Sequence, residues 1–470
     1  MARSCLLALV LYVLCHQITS LSVINIEDRP SHDRVVACYV STWARYRTDR
    51  GQFTIDDIDP SLCTHLIYAF AGLDNTTSSI KSLDPYNDLE ENYGLGSYKK
   101  MAALRKKYPH LTVSVAIGGW NEGSVNYSVL AADADRRKLF VESVVNFMRT
   151  HGFNGFDLDW EFPAKRGGAP EDKENFVALV KELHTSLKPE GWSLTAALGA
   201  GKDTMEVAYD LSQLNQYLDH IHLMCYDYHG KWDSQTGANA PLHSADPNDV
   251  NTVEYSVKYM LEHGIEPHKL VLGLPMYGRT FIHKDELVSE KLGTPSMSTA
   301  FSGPYTKEDG FMGYNEICEE LQNNTSWKRL WDESSLTPFA VNGNKVIVYD
   351  DEESLKYKVK YAMEKDLGGL MIWSIDIDDF RGDCVAQDGE KKEKFQLLRS
   401  VNEAIVSSLR EIDVEKEKEK EKSQTEQTTE QTTNEPVTPS KATVLSTSSI
   451  LISVLLFLPC FFYRTITLMS

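Results

Sequence analysis

Cationic side chains are what this chain has least of for its size: 48 Lys and Arg stand against 68 Asp and Glu, a formal net charge of −20. Nucleic-acid binding works by clustered Lys and Arg neutralising phosphates, so that class of partner is excluded. A neutral or cationic substrate fits better. Cysteine is also scarce, at eight in 470 residues, which excludes a small scaffold held together by disulfides. No His/Cys cluster has metal-ligand spacing, so no metal and no other cofactor is expected. What is plentiful is apolar residue, 42% of the chain. That suffices for one large domain with an insert, or for two or three domains.

The two ends differ from the rest. Met1-Ala2-Arg3-Ser4, an apolar run over 5–14 and small residues near 19–22 form the three regions of a signal peptide, expected to span 1–22 and to send the chain into the secretory pathway. Sequons at Asn75, Asn126, Asn323 and Asn324 fit that route. Five cysteines lie between the terminal apolar segments, Cys38, Cys63, Cys225, Cys318 and Cys384, enough for two disulfides and one thiol with the pairing open. After Ile412 the composition turns to Lys, Glu, Gln, Thr and Ser, so 411–441 reads as a disordered polar stalk. An apolar segment within 442–470 reads as an anchor. Its core over 450–463 would span about 21 Å as a helix, short of a bilayer's ~30 Å, which leaves a lipid-anchor signal and a single spanning helix both open.

The most informative segment is Gly155-Phe156-Asp157-Leu158-Asp159-Trp160-Glu161-Phe162. In a strand, alternation puts its three acids on one face. Carboxylates stacked in a low-dielectric site cannot all ionise, and a Glu that keeps its proton near neutrality is what cleavage of a glycosidic bond needs. The same alternation also fits a half-exposed antiparallel strand. The rest of the chain decides between them.

Eight strand-like runs, at 35–43, 64–72, 111–120, 153–161, 193–200, 220–228, 269–278 and 368–379, alternate with stretches of helical spacing such as Phe140, Val144, Phe147 and Met148. Eight such units imply an α/β fold, the (β/α)8 TIM barrel, over 33–410. The three acids then fall at the C-terminal end of strand four, the end where such barrels carry their active sites. The stretch 280–345 interrupts the rhythm and reads as a small α+β insertion between strands seven and eight, walling the same face. Trp43, Trp120, Tyr226 and Trp373 sit at strand ends around the acids, as platforms for sugar rings would.

At this point the chain resembles the family-18 glycoside hydrolases, the chitinases, over 35–409. The resemblance rests on Gly155-Phe156-Asp157-Leu158-Asp159-Trp160-Glu161, Val115-Ala116-Ile117-Gly118-Gly119-Trp120, Met224-Cys225-Tyr226-Asp227-Tyr228, Pro275-Met276-Tyr277-Gly278-Arg279 and Met371-Ile372-Trp373-Ser374, in family order. The texture is similar to the animal chitinases of arthropod type. The resemblance implies an endo-acting, retaining hydrolase of chitin or chito-oligosaccharide, monomeric, in which the substrate's own N-acetyl group is the nucleophile. It makes Glu161 the acid/base, Asp159 the partner of the acetamido nitrogen, Asp157 a proton-sharing neighbour and Tyr226 a donor to the acetamido carbonyl. Trp373 becomes the floor. Tyr39, Trp43, Phe70, Gly119, Trp120, Met224, Asp227, Tyr277, Arg279 and Met371 become substrate contacts. Cys38–Cys63 and Cys318–Cys384 become the disulfides, with Cys225 free.

Two departures stand out. Only Cys460 lies beyond Cys384, so no cysteine-rich chitin-binding module is expected among the residues after the barrel. Asn154 replaces the signature's first Asp, and electrical coupling of that position to the acids is expected to tune their ionisation. Two competing readings share the motifs: a catalytically silent chitinase-like lectin, and an endo-acting glycosidase of N-glycans. The silent reading is disfavoured because Glu161, Asp159 and Tyr226 are all present.

Overall fold

Runs such as Val35-Val36-Ala37-Cys38-Tyr39-Val40 combine β-branched and aromatic residues with near-total burial, and each becomes a strand of a parallel sheet. The computed structural model describes residues 29–284, 289–385 and 392–433. In chain order the barrel strands are Val35–Ser41, His65–Asp74, Thr112–Gly118, Gly155–Asp159, Ser193–Gly199, His220–Met224, Leu270–Pro275 and Gly369–Trp373. Each pairs in parallel with the next, and the last returns to the first with Val35 opposite Gly369 and Cys38 opposite Ile372. The ring is closed. All eight strands fall on the eight runs expected from the sequence, so the fold is the anticipated (β/α)8 barrel.

Alternation divides the side chains between two cores. Ala37 and Tyr39 point into the barrel and meet Ile67, Ala69, Ala116 and Met371 there, the small alanines making room for the large Tyr and Met. Val36, Cys38 and Val40 point outward under the helices. The helix Ala134–His151 begins where the Asp133 carboxylate accepts from the amides of Asp135 and Arg136, buries Phe140, Val144 and Met148, and ends at Gly152 with φ of 82°. The helix Asp172–Leu187 buries Phe176, Leu179, Val180 and Leu183, on the spacing read from the sequence.

The insertion differs in its edges from the expected 280–345. The barrel strand stops at Pro275, and the chain passes straight into Tyr277–Ile282, the second strand of a five-stranded antiparallel sheet. The other strands are Phe311–Gly313, Lys345–Val348, Thr337–Asn342 and Lys328–Asp332, with the helix Tyr314–Asn323 between the first and last of these in the chain. The run 269–278 is therefore two strands. Apolar character continues across the junction, so hydropathy alone could not divide it. Both disulfides implied by the resemblance are formed, Cys38–Cys63 and Cys318–Cys384, and Cys225 is free and buried.

The chain divides into two compact units, 1–414 and 415–470. The stretch 411–441, expected as a polar stalk, begins within the helix Gln396–Thr433, and its remainder lies outside the described residues. No Gly or Pro occurs in that helix, and Glu, Lys and Gln are good helix formers. Leu397, Leu398, Val401 and Ile405 are buried at the start of this helix, so nucleation occurs where packing supports it and the polar part merely propagates. The expected leader at 1–22 and the apolar segment at 442–470 lie outside the described residues. Among the described residues no helix is long and apolar enough to cross a membrane.

Candidate active site

Strand Gly155–Asp159 is buried along its whole length and sends Asp157 and Asp159 into the barrel, with Glu161 two residues beyond. Two glycines on the neighbouring strand allow this approach. Gly118 has φ of 112°, and a Cβ there would lie 2.0 Å from the carbonyl oxygen of Asp159. Gly119 has φ of 81°, donates its amide to that carbonyl at 2.8 Å, and a Cβ on it would strike the Phe70 ring. Trp160 points the other way, buried against Tyr127 and Phe176, with Nε1 donating to Ser124 Oγ at 2.7 Å. It anchors the strand end that carries Glu161.

The three acids have different surroundings. Asp157 accepts from Tyr39 Oη at 2.7 Å and from Thr195 Oγ1 at 2.5 Å, and His222 Nδ1 lies 3.3 Å away. Asp159 is buried too, and its Oδ1 has no hydrogen-bond partner among the described residues. Burial first, then the charges of Glu161 and Asp157, hold the Asp159 carboxyl well above the usual range. Burial pushes Glu161 up to about 7; the Arg166 guanidinium opposes that rise and the Asp227 charge adds to it. A ladder whose buried lower end is held by side-chain donors and whose upper end retains a proton can supply one proton at near-neutral pH.

Facing Glu161, the chain leaves the sixth strand at Met224 and turns through Asp227, whose φ is 60°. Asn239 fixes that turn, its Oδ1 accepting the Asp227 amide at 3.0 Å. The Asp227 carboxylate receives Tyr277 Oη at 2.7 Å and both arms of Arg279, Nε at 2.8 Å and Nη2 at 2.7 Å. Tyr226 stands edge-on to Tyr277, with rings 5.9 Å apart, and its hydroxyl reaches the sulfur of Met371 at 3.8 Å.

Aromatic rings line the floor. Trp373 stacks near Phe70 at 5.9 Å and tilts against Tyr39 at 5.4 Å and Trp43 at 6.4 Å; Trp43 in turn stacks on Phe70 at 6.1 Å. Met224 packs against the barrel-interior cluster below them. Trp120 is exposed at the opposite rim, with the Arg166 guanidinium 3.6 Å from its ring centre. Glu161, Asp159, Asp157, Tyr226, Asp227, Tyr277, Arg279, Met371 and the rings of Tyr39, Trp43, Phe70 and Trp373 thus lie around one end of the barrel.

Sequence reasoning missed several others. Thr195, His222 and Asn239 act through side chains beneath or behind the groove, and no short motif marks them. Arg166 donates to the Glu161 carbonyl at 2.9 Å from a loop of unremarkable composition. Trp232 was findable: it follows the Met224–Tyr228 motif closely, is exposed, and lies 5.2 Å from the Arg279 guanidinium.

Asn154 takes a different place from the expected one. It lies at odd spacing from Asp157, on the outward face, and its Oδ1 accepts the Val113 amide at 2.7 Å. It ties two strands together. Of the sequons, Asn75, Asn126 and Asn323 are exposed, with Asn75 Nδ2 donating to Asn126 Oδ1 at 3.1 Å; Asn324 is half-buried and donates to Glu320 Oε1 at 3.0 Å.

A closed barrel with a carboxylate ladder and an aromatic groove at the C-terminal ends of its strands defines the class as a barrel glycosidase. Residues 35–378 match the model of glycosyl hydrolases family 18, and the chain belongs to that family. It is 48% identical over 406 residues to "Probable chitinase 2" of Drosophila melanogaster, across 82% of this chain and 83% of that protein. Among solved structures it resembles the Ostrinia furnacalis Group IV chitinase in complex with allosamidin, with 39% identity, a TM-score of 0.75, and coverage of 80% of this chain and 100% of the other. It also resembles human YKL-39, described as a pseudo-chitinase with retained chitooligosaccharide binding, at 30% identity and a TM-score of 0.70, covering 79% of this chain and 99% of that one.

Proposed function

We propose that this protein is an endo-acting chitinase that hydrolyses β-1,4 linkages between N-acetylglucosamine units with retention, by a substrate-assisted route. The observation that carries this is the pairing of Glu161, held protonated to about 7, with a neighbouring Asp159 whose Oδ1 is buried and open. Glu161 gives its proton to the glycosidic oxygen. The C1–O bond breaks as the carbonyl oxygen of the 2-acetamido group bonds to C1, forming an oxazolinium ion. Asp159 Oδ1 accepts the acetamido N–H and orients the group for attack. Tyr226 Oη donates to the acetamido oxygen. The Glu161 carboxylate then takes a proton from water, whose oxygen opens the ring at C1 with net retention. Trp373 is the floor beneath the reacting sugar, and Trp43, Trp120 and Trp232 serve as stacking platforms along the groove.

The chitinases among its relatives, one of them solved with allosamidin, support chitin as substrate. The silent reading keeps a foothold through the pseudo-chitinase neighbour. Against it stands a complete set of Glu161, Asp159, Tyr226 and Asp227. Release of reducing ends from N-acetylglucosamine hexamer, followed by product analysis, separates the readings: internal cleavage supports this one, and binding without new reducing ends supports a lectin. Turnover of a high-mannose glycoprotein in preference to the hexamer would favour an N-glycan hydrolase.

The leader-like start and the apolar C-terminal segment support secretion followed by attachment to a cell surface, by a lipid anchor or a spanning helix. Phosphatidylinositol-specific phospholipase distinguishes the two on intact cells. Release means a lipid anchor.

A further inference from the structure

The loop that follows strand Gly155–Asp159 carries a cation into the groove that the proposed mechanism leaves unused. Arg166 lays its guanidinium 3.6 Å from the centre of the Trp120 ring and donates from Nη1 to the Glu161 carbonyl at 2.9 Å. Both partners are neutral. Arg279, by contrast, has its charge matched by Asp227. The loop holds Arg166 firmly. Asp172, fully buried, accepts from the amides of Ala164 at 3.1 Å and Ala169 at 2.9 Å and from Ser128 Oγ at 2.6 Å, so one carboxylate clasps both ends of the loop. Ala164 and Arg166 are left-handed, with φ of 61° and 53°, a state that such residues keep only where their surroundings impose it. A Cβ on Gly168 would lie 2.4 Å from Asp172 Oδ2, so only glycine lets the loop close this tightly.

The groove around it is acidic, with Glu161, Asp159 and Asp227 at its centre in a chain of net charge −20, so a cationic sugar would otherwise be drawn in. Arg166 reverses the sign locally. Trp120 stays 61% exposed with the guanidinium on it, which leaves ring surface for a sugar. A sugar on the other side of that ring lies two van der Waals spacings from the guanidinium, about 7–8 Å, within the ~8 Å Debye length of physiological salt. The reacting sugar over Trp373 must be acetylated, because its acetamido group is the nucleophile, so selection there is already made by the chemistry. Trp120, at the opposite rim beside Glu161, meets the unit across the cut. We propose that Arg166 is a specificity-determining residue: its guanidinium at Trp120 disfavours glucosamine, whose free amine is cationic, and admits N-acetylglucosamine at the unit across the cut. The proposal rests on the hydrolytic reading of the same site.

The test is cleavage of a partially deacetylated chitin in low salt and at mildly acidic pH, where free amines are protonated, by the full chain and its Arg166→Gln and Arg166→Lys variants. Mass-spectrometric sequencing of the products gives the share of glucosamine at the new end across the cut. Glutamine removes the charge, and that share should rise about 3- to 10-fold over the parent. Lysine keeps a cation near the ring, so its share should stay within about twofold of the parent. Raising salt to ~0.5 M should weaken the parent's discrimination. The Arg166 charge also bears on the Glu161 proton, but that acts on every cut alike, and the composition of the ends cancels it. A glutamine variant with the parent's end composition, or lysine and glutamine changing it equally, overturns the proposal and leaves Arg166 a packing partner of Trp120. The second measurement needs no turnover: calorimetry of N-acetylglucosamine and glucosamine hexamers on the Glu161→Gln background, with and without Arg166→Gln. The preference for the acetylated hexamer should narrow when the arginine is lost, and an unchanged preference also overturns the proposal. A parent that cleaves neither polymer nor hexamer would count against the hydrolase reading, while this affinity ratio would still decide for or against Arg166.

Discussion

Arg279 grips Asp227 with two parallel bonds, Nε to Oδ1 at 2.8 Å and Nη2 to Oδ2 at 2.7 Å, across the junction between the barrel's sixth-strand loop and the first strand of the insertion. Tyr277 adds a third donor to the same carboxylate at 2.7 Å. A left-handed residue in a loop is thereby held as firmly as one on a strand. This matters because Asp227 is one of the charges that Glu161 feels.

Arg279→Lys tests that grip. Lysine keeps the charge but cannot make the paired bonds, so kcat/KM for a chito-oligomer should fall about 10- to 100-fold, as expected for losing a charge-assisted bond. Steady-state kinetics with circular dichroism as a folding control measures it. Unchanged kinetics would make the pair ornamental.

Glu161→Gln should abolish nearly all hydrolysis and leave oligomer binding, because the amide keeps the shape but has no acidic proton. In the parent, turnover should fall about tenfold per pH unit once pH passes about 7, where the acid loses its proton. Stability carries the same sign. The folded value lies above the ordinary 4.5, so this group's contribution is intact at lower pH and is lost as pH rises through about 7. The glutamine variant escapes that loss. Its Tm should rise relative to the parent between pH 5 and 8.5, and a constant difference would mean the carboxyl is not raised.

Trp373→Ala removes the floor that packs against Tyr39, Trp43 and Phe70. Both oligomer affinity and kcat should drop, with kcat/KM falling overall by an amount on the order of 2 kcal/mol, or about 30-fold. Calorimetric binding to the inactive Glu161→Gln background separates the two effects.

Asn154→Asp should leave the alkaline limb in place to within ~0.2 unit, since the side chain faces outward at Val113 rather than toward the ladder. A larger upward shift in the pH profile would restore the electrical coupling expected from the family pattern.

A chain ending at Val414 should unfold at the same temperature as the full chain and keep its turnover, because residues from 415 belong to a separate unit. Ending it at Ser400 should instead destabilise the fold by several kcal/mol, since Val401, Ala404 and Ile405 are buried. Thermal unfolding of the two shortened proteins checks both expectations.

The barrel was legible because eight buried parallel strands must each be nearly continuous in apolar residues, and helices between them must repeat every three to four. The ladder was legible for a related reason: three acids at alternate positions have no cheap structural explanation in a buried strand. His222 and Thr195 were not legible. Each is a single polar residue inside an apolar run, and only the closure of the barrel brings them to Asp157. The structural part of Asn154 was not legible either, because only the pairing of two strands brings its Oδ1 to the Val113 amide. The helix past Ile412 was not legible because composition reports the lack of a core, and a helix already packed at Leu397 and Val401 can continue without one.

The absence of any connecting loop between Pro275 and Tyr277 has a further consequence. Tyr277 and Arg279 belong to the first strand of the insertion, yet they hold a residue of the barrel, so the insertion is not a detachable accessory that could be trimmed to give a minimal enzyme. Tyr277–Ile282 is held on both sides, by Phe311–Gly313 and by Lys345–Val348, so removing either of those strands would unpair it. A working catalyst built on this arrangement is therefore larger than a barrel, and new groove contacts are best grafted onto the two strands farthest from Tyr277–Ile282 on that side of the sheet, Thr337–Asn342 and the edge strand Lys328–Asp332, which carry no part of the grip on Asp227.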